Sequence, residues 1–247
     1  MKIITLVSYV VFFAGASFGQ IVDIEYIYQE KINLGSYMQN EKLRSNTESF
    51  NQRLKSKIPL EAIEGLFDSD RAFVYIDTFL LHVAKGQSLF KQKGDIPRSI
   101  ELKFEGANVK IFSMEYQTRF FIDRKQNTLS GEIPKRGKII KLYDEIPTLC
   151  WDISNESKTM LGLKTFKAEL QYCNRSIIAW FAPDIPLQAG PLFYGGLPGL
   201  IMELVIDDGL RIYTATTIEK SLGHALQEKK IKAASKHAKT LSKYCAN

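Results

Sequence analysis

Short runs of alternating apolar and polar residues, punctuated by turn residues and not separated by helical patterns, constrain this 247-residue chain most. Over 21–29, Ile21, Asp23 and Glu25 alternate with Val22, Ile24, Tyr26 and Tyr28, the two-residue period of a strand with one buried face. Runs 72–84 and 87–92 flank Lys85-Gly86, which reads as a hairpin turn. Further strands are expected at 109–122, 128–133, 138–143, 158–172 and 176–181. Asp207-Asp208-Gly209 then joins 201–206 to 210–218, with a glycine that can take positive φ. Strands at this spacing build an antiparallel meander, not a parallel sheet. The expected class is mainly β, a β-rich α+β fold, with a half-barrel as one form of the meander. A C-terminal helix is expected over 222–244, with a narrow stripe of Leu222, Leu226, Ala234, Ala238 and Leu241. Segment 46–67 is polar with spaced Leu54, Ile58, Ile63 and Leu66, and reads as helix or mobile loop broken at Pro59.

Composition excludes disorder as the main state, because 15 Phe, 11 Tyr and 2 Trp supply ample apolar surface. One apolar run opens the chain, from Ile3 to Ala16 after Lys2, and Ser17-Phe18-Gly19 follows with small residues where a signal peptidase reads. The division expected is a signal peptide over 1–19, an antiparallel β domain over 20–218 and a basic helix over 219–247. A membrane anchor is the competing reading, but the run is shorter than the ~20 residues that span a bilayer. No cysteine lies near the cut, so a lipoprotein is not expected. The mature chain is expected in the periplasm or at the cell surface.

Charge is concentrated at the end. Residues 219–247 hold seven lysines against Glu219 and Glu228, while 20–218 is balanced. Such a tail suits an anionic lipid surface or an acidic partner, although a solvated helix face explains it too. Nucleic acid is not expected, since the body is neutral and carries no binding motif.

One window breaks the strand pattern. Four of the eight prolines, Pro183, Pro186, Pro191 and Pro198, fall in sixteen residues, with Gly190, Gly195, Gly196 and Gly199 in or beside them. Proline fixes φ and removes a donor, so no interior strand forms here. Leu197-Pro198-Gly199-Leu200 places Pro and Gly at the central positions of a type II turn. Yet Ile185, Leu187, Leu192, Phe193, Tyr194 and Leu197 make the loop apolar enough to fold back on the body.

The run Ala179-Trp180-Phe181-Ala182-Pro183-Asp184-Ile185-Pro186, then Gly190-Pro191, then Gly195-Gly196-Leu197-Pro198-Gly199-Leu200-Ile201, resembles the signature of the GLPGLI family of exported Bacteroidota proteins. Trp151-Asp152-Ile153, Leu161-Gly162, Lys167-Ala168 and Arg175 also fit that pattern. Thr165 stands where the family often has cysteine. The resemblance implies export and a fold, not a reaction. The signature residues singled out as structural or binding are Arg175, Trp180, Asp184, Pro186, Gly190, Pro191, Gly196, Leu197, Pro198, Gly199, Leu200 and Ile201. Trp180 is expected to bury its ring under the loop and bond its N–H to a carbonyl. Arg175 is expected to pair with Asp184.

Cys150, Cys173 and Cys245 leave at least one thiol unpaired. Cys150–Cys173 is the most economical pair, and two buried free thiols are the equal alternative. His82, His224 and His237 are too scattered for a metal site, and His82 reads as a core or cross-strand histidine. No H-E-x-x-H, G-x-S-x-G or phosphate-binding glycine loop is present, so no catalytic residue, metal or cofactor is expected. Two readings remain. One is a non-enzymatic accessory or binding protein of the envelope, for an apolar ligand, a peptide or a partner protein. The other is an envelope hydrolase using carboxylates near the signature loop, with Asp184 and Glu203 as the candidate pair.

Overall fold

The computed structural model describes residues 20–33, 72–94, 99–104, 107–112, 118–135, 138–222 and 239–245. The expected signal peptide at 1–19, the segment at 46–67 and most of the expected C-terminal helix lie outside these residues. Eleven strands form one open antiparallel sheet. β1 (Gln20–Asn33) lies at its centre, hydrogen-bonded to β2 (Ala72–Ala84) on one side and to the last strand, β13 (Arg211–Leu222), on the other. One wing continues from β2 through β3 (Gln87–Gln92), β6 (Arg119–Asp123) and β7 (Thr128–Lys135) to the edge strand β8 (Lys138–Glu145). The other runs from the opposite edge, β9 (Asp152–Met160), through β10 (Leu163–Tyr172), β11 (Arg175–Ala182) and β12 (Leu200–Ile206) to β13. β4 (Ser99–Phe104) and β5 (Ala107–Phe112) pair as a separate hairpin.

Turn chemistry explains the meander. Lys85-Gly86, Leu161-Gly162 and Cys173-Asn174 each have positive φ at both residues, the two-residue turn whose twist suits antiparallel strands. The expected hairpins at Lys85-Gly86 and at 207–209 are present. The expected strand 158–172 is instead the end of β9, a turn at Leu161-Gly162 and all of β10. Likewise 109–122 covers parts of two strands, β5 and β6.

The sheet is strongly curled. Eleven strands at about 4.8 Å spacing would span roughly 48 Å if flat. The edge strands β8 and β9 are nevertheless joined by residues 146–151, which reach about 24 Å at most when extended. The two edges are not hydrogen-bonded to each other, so the sheet stays open. Its concave face is the core: Val22, Ile24, Tyr26 and Tyr28 of β1 meet Ile177, Ala179 and Phe181 of β11 and Leu204 of β12.

Two expectations are corrected here. Leu222 ends β13, so the segment from 219 begins as strand, and the described helical part of the tail is only α1 (Leu241–Cys245). That tail docks: Lys239 forms a parallel bridge to Leu142 of β8, and Leu241 is buried with its N–H donating to Asp144 Oδ2 at 2.8 Å. Finally, the disulfide joins Cys173 to Cys245, leaving Cys150 free and exposed. Cys173 occupies a turn at the end of the sheet facing the tail, whereas Cys150 lies on the edge-to-edge connection.

Candidate functional site

The proline-rich loop, 183–199, is a plug in the concave face. Its backbone is sutured to the start of β12: Leu200 N–H donates to Ile185 O at 2.9 Å, and Ile201 N–H to Ala189 O at 3.0 Å. The Tyr26 hydroxyl reaches across from β1 to Ile201 O at 2.6 Å, and burial raises its phenol pKa above the ordinary value. A Cβ on Gly199 would lie 2.3 Å from Ala182 O, and one on Gly190 would lie 2.7 Å from Ile201 Cβ. Gly199 does not have positive φ; Gly196 does, at 85°. The type II turn expected at Pro198-Gly199 is therefore replaced by a close backbone approach, which excludes any side chain at 199.

Aromatic contacts carry the plug to both wings. Phe193 stacks on Tyr194 at 4.5 Å and meets Phe120 of β6 at 5.5 Å and Tyr172 of β10 at 6.0 Å. Trp151 packs on Tyr194 and donates its indole N–H to Gly195 O at 2.9 Å. Arg124, in the β6–β7 turn, donates to Gln188 O. Leu197 and Leu200 are fully buried, whereas Pro186, Gly196 and Pro198 are exposed on the outside of the loop and Pro191 is buried within it.

Several singled-out side chains stand elsewhere. Trp180 faces the opposite side of the sheet from Ile177, Ala179 and Phe181, with Lys158 Nζ 4.3 Å from its ring centroid. Trp151, not Trp180, supplies the indole bond to the loop. Glu203, paired with Trp180 in the strand register, accepts from Lys158 at 2.6 Å. Asp184 is exposed, and the Glu203 carboxylate is engaged by Lys158. Arg175 pairs with Asp207 at 2.6 Å, not with Asp184, because it starts β11 at the far end from the loop. Thr165 is buried and donates to Lys158 O at 2.8 Å, a cross-strand tie with no redox chemistry.

Above the plug lies a cavity of about 260 Å³, walled by Tyr28, Phe79, Tyr213 and Phe193 and edged by Glu30, Asp77, Arg175 and Arg211. Parity alone puts Glu30 there: it continues the inward series Val22, Ile24, Tyr26, Tyr28. Tyr28 donates to Glu30 Oε2 at 2.8 Å; burial raises the Glu30 carboxyl pKa and that hydrogen bond opposes the rise. Asp77 is buried and accepts from the Tyr75 hydroxyl at 2.9 Å, the Thr78 N–H at 2.7 Å and Gln92. Asp207 receives both guanidinium groups, Arg175 at 2.6 Å and Arg211 at 3.0 Å. Glu30 and Arg211 are direct cross-strand partners, yet they do not bond to each other. Arg211 Nε is buried without an acceptor among the described residues. His82 sits cross-strand to Asp23, at 2.7 Å. Among the described residues no three His, Cys, Asp or Glu side chains converge as metal ligands, and no helix is long and apolar enough to cross a membrane.

Fold and site thus define an open antiparallel sheet of eleven strands with a loop plugged into its concave face and a small polar-edged cavity. Residues 167–203, which hold the plug and strands on either side of it, match the family model described as "Protein of unknown function (Porph_ging)". No curated protein matches the chain significantly. Two crystal forms of PNGF-II are similar over 83% of this chain. The first is 16% identical with a TM-score of 0.47 and 28% of that chain covered; the second is 15% identical, with 0.46 and 29%. The chain therefore spans less than a third of the length of those structures.

Proposed function

We propose that the chain is an exported, non-enzymatic binding protein of the cell envelope, holding a small ligand in the cavity above the plug. The observation that carries this reading is the cavity itself, formed where the plug meets residues from both wings. Its volume lies just below the 300–1,000 Å³ of sites for drug-sized ligands, which favours one ring-sized molecule over an acyl chain. Export is supported by the apolar leader-like run before Gln20 and by the Cys173–Cys245 disulfide, a bond that persists in oxidising compartments. The lysines of 219–247 offer an anionic lipid surface or an acidic envelope partner as a secondary contact. Titration with the apolar fluorophore 8-anilinonaphthalene-1-sulfonate tests the cavity. The native chain should bind it, and Thr118→Trp, at a residue that lines the cavity, should abolish binding without lowering the melting temperature. Absence of binding to the native chain overturns the reading.

The hydrolase reading keeps one observation in its favour, with different residues. Glu30 and Asp77 are diagonal neighbours on the concave face of β1 and β2, about 7 Å apart by strand geometry. That separation suits paired carboxylates, and burial raises the pKa of Glu30. Turnover of any substrate by the native chain, lost in Glu30→Gln, would decide for this alternative.

A further inference from the structure

An exposed thiol beside a disulfide can take the bond over, because its thiolate attacks sulfur directly and needs no added oxidant. All three cysteines gather where the two edges of the curled sheet approach each other. Cys245 is carried on α1, behind Lys239, which bridges to Leu142, and Leu241, which is bonded to Asp144 of β8. Cys173 follows Tyr172 at the β10–β11 turn, its Cα 4.9 Å from that of Cys245. Cys150 is free and exposed on the link 146–151 that leads from β8 into β9.

Two observations bring that link to the disulfide. Burial raises the Tyr172 phenol pKa and the charge of Asp144 adds to the rise, so the end of β8 lies near the end of β10. β9 pairs Asp152 with Glu169. Two more residues along that register set Cys150 beside Gln171, about 8 Å from Cys173 by strand spacing and rise. Bonded cysteines stand about 4.4–6.8 Å apart at Cα, so the approach required is a few ångströms. The link has the backbone for it: Trp151 N–H donates to Leu149 O at 3.2 Å, a γ-turn with Cys150 at its apex and no strand ladder. The disulfide also borders the cavity, since Cys173 is one of its lining residues.

We infer that Cys150 and the Cys173–Cys245 disulfide form a thiol-exchange latch on the cavity. The Cys150 thiolate attacks Cys173 Sγ. The Cys150–Cys173 bond forms as the Cys173–Cys245 bond breaks, and Cys245 leaves as the thiolate. One thiolate is consumed and one released, with the number of disulfides unchanged. In the first state the tail is tied covalently to the rim of the cavity. In the second it keeps only the Lys239 bridge and the buried Leu241 with its bond to Asp144. Ligand entry is slow in the first state and faster in the second. The latch rests on the binding-protein reading above and adds its regulation.

The linkage is read first, on the native full chain. It is held at about pH 8.5, where an ordinary thiol ionises, without added thiol or oxidant. It is then acidified, labelled with N-ethylmaleimide and mapped by mass spectrometry of non-reduced peptides. A Cys150–Cys173 linkage with the label on Cys245 should grow in, at a first-order rate unchanged by dilution. Cys173–Cys245 as the sole linkage, growth that slows on dilution, or a Cys150–Cys245 linkage that keeps the tail tethered overturns the latch and leaves the binding-protein reading standing. Stopped-flow association of 8-anilinonaphthalene-1-sulfonate reads the consequence. Cys245→Ser, which leaves Cys150 and Cys173 to pair, should take up the fluorophore at least threefold faster than Cys150→Ser, which locks the tail. Should Cys245→Ser lose the native circular dichroism spectrum, native chain enriched in the exchanged linkage takes its place. Equal rates overturn the regulation. Failure of the native chain to bind the fluorophore overturns the binding-protein reading, and the latch on its cavity with it.

Discussion

Two segments tie the wings of the curled sheet together, and they do it by different physics. The plug, 183–199, is held by native contacts alone: backbone bonds to β12, glycines pressed against Ala182 and Ile201, and rings wedged between Phe120 and Tyr172. The described part of the tail, 239–245, runs from edge strand β8 to the β10–β11 turn and is held by the bridge to Leu142, by Leu241 with its bond to Asp144, and by the disulfide. A plug of this kind stabilises the folded state by packing. A disulfide acts mainly on the unfolded chain, by removing conformations it would otherwise visit.

That difference can be broken most forcefully at the disulfide. The bond spans a sequence separation of 72 residues, for which chain entropy gives about 4 kcal/mol. Cys245→Ser should lower stability in urea unfolding by up to that amount. Native-state hydrogen exchange should then show the tail opening at Lys239 while the amides of Leu200 and Ile201 stay protected. If protection of Ile201 falls with that of Lys239, plug and tail are one unit and the contrast fails.

The plug is the next target. Gly199→Val should destabilise by about 1–3 kcal/mol, the cost of forcing a side chain against the Ala182 backbone. Because φ at Gly199 is ordinary, Gly199→Ala should already show much of this loss; at a position of positive φ the strain would instead follow the backbone. Thermal unfolding of the two variants reads the distinction. An unshifted melting temperature in both would mean the loop is not packed as described.

How much of this was written in the sequence differs between the two segments. The strands were legible because one buried face imposes a period of two, and Lys85-Gly86 and Asp207-Asp208-Gly209 advertise their turns through glycine. The turn at Leu161-Gly162 was missed despite its glycine, and 158–172 read as one strand; the break after 172 was legible, but not that Cys173 there would pair with Cys245. The apolar content of the plug was legible, but its destination was not. Which wing Phe193 meets depends on how far the sheet curls, a property of all eleven strands. Trp180 was assigned to the loop by proximity in the chain, whereas strand parity, which sends it outward beside Lys158, was the better guide. The same parity carries Glu30 inward, and following β1 two residues further would have found the cavity's edge.

Between the plug and the wall stands Trp151. Trp151→Phe keeps the ring on Tyr194 and removes only the indole bond to Gly195 O, so it should cost about 1 kcal/mol. The plug then remains folded, and the change should appear in unfolding midpoint alone, without loss of cooperativity. A larger loss would place Trp151 among the main supports of the plug.

The smallest effect expected is also the one that probes the cavity without any ligand. Burial favours the neutral form of Glu30, so its pKa in the folded chain lies above that in the unfolded chain. The folded state therefore holds this proton more tightly than the unfolded state does. Its contribution to stability is fully present below the ordinary glutamate range and is lost as pH rises through the folded value. The Tyr28 hydroxyl favours the ionised form and keeps the loss modest. Glu30→Gln cannot ionise, so its melting temperature relative to the native chain should rise as the buffer moves from below that range to neutral pH. A native chain that gains stability relative to Glu30→Gln over the same interval would mean that Glu30 is paired with a cation in solution. Arg211, its direct cross-strand partner on β13, is the candidate, and it would then have to be shared between Glu30 and Asp207.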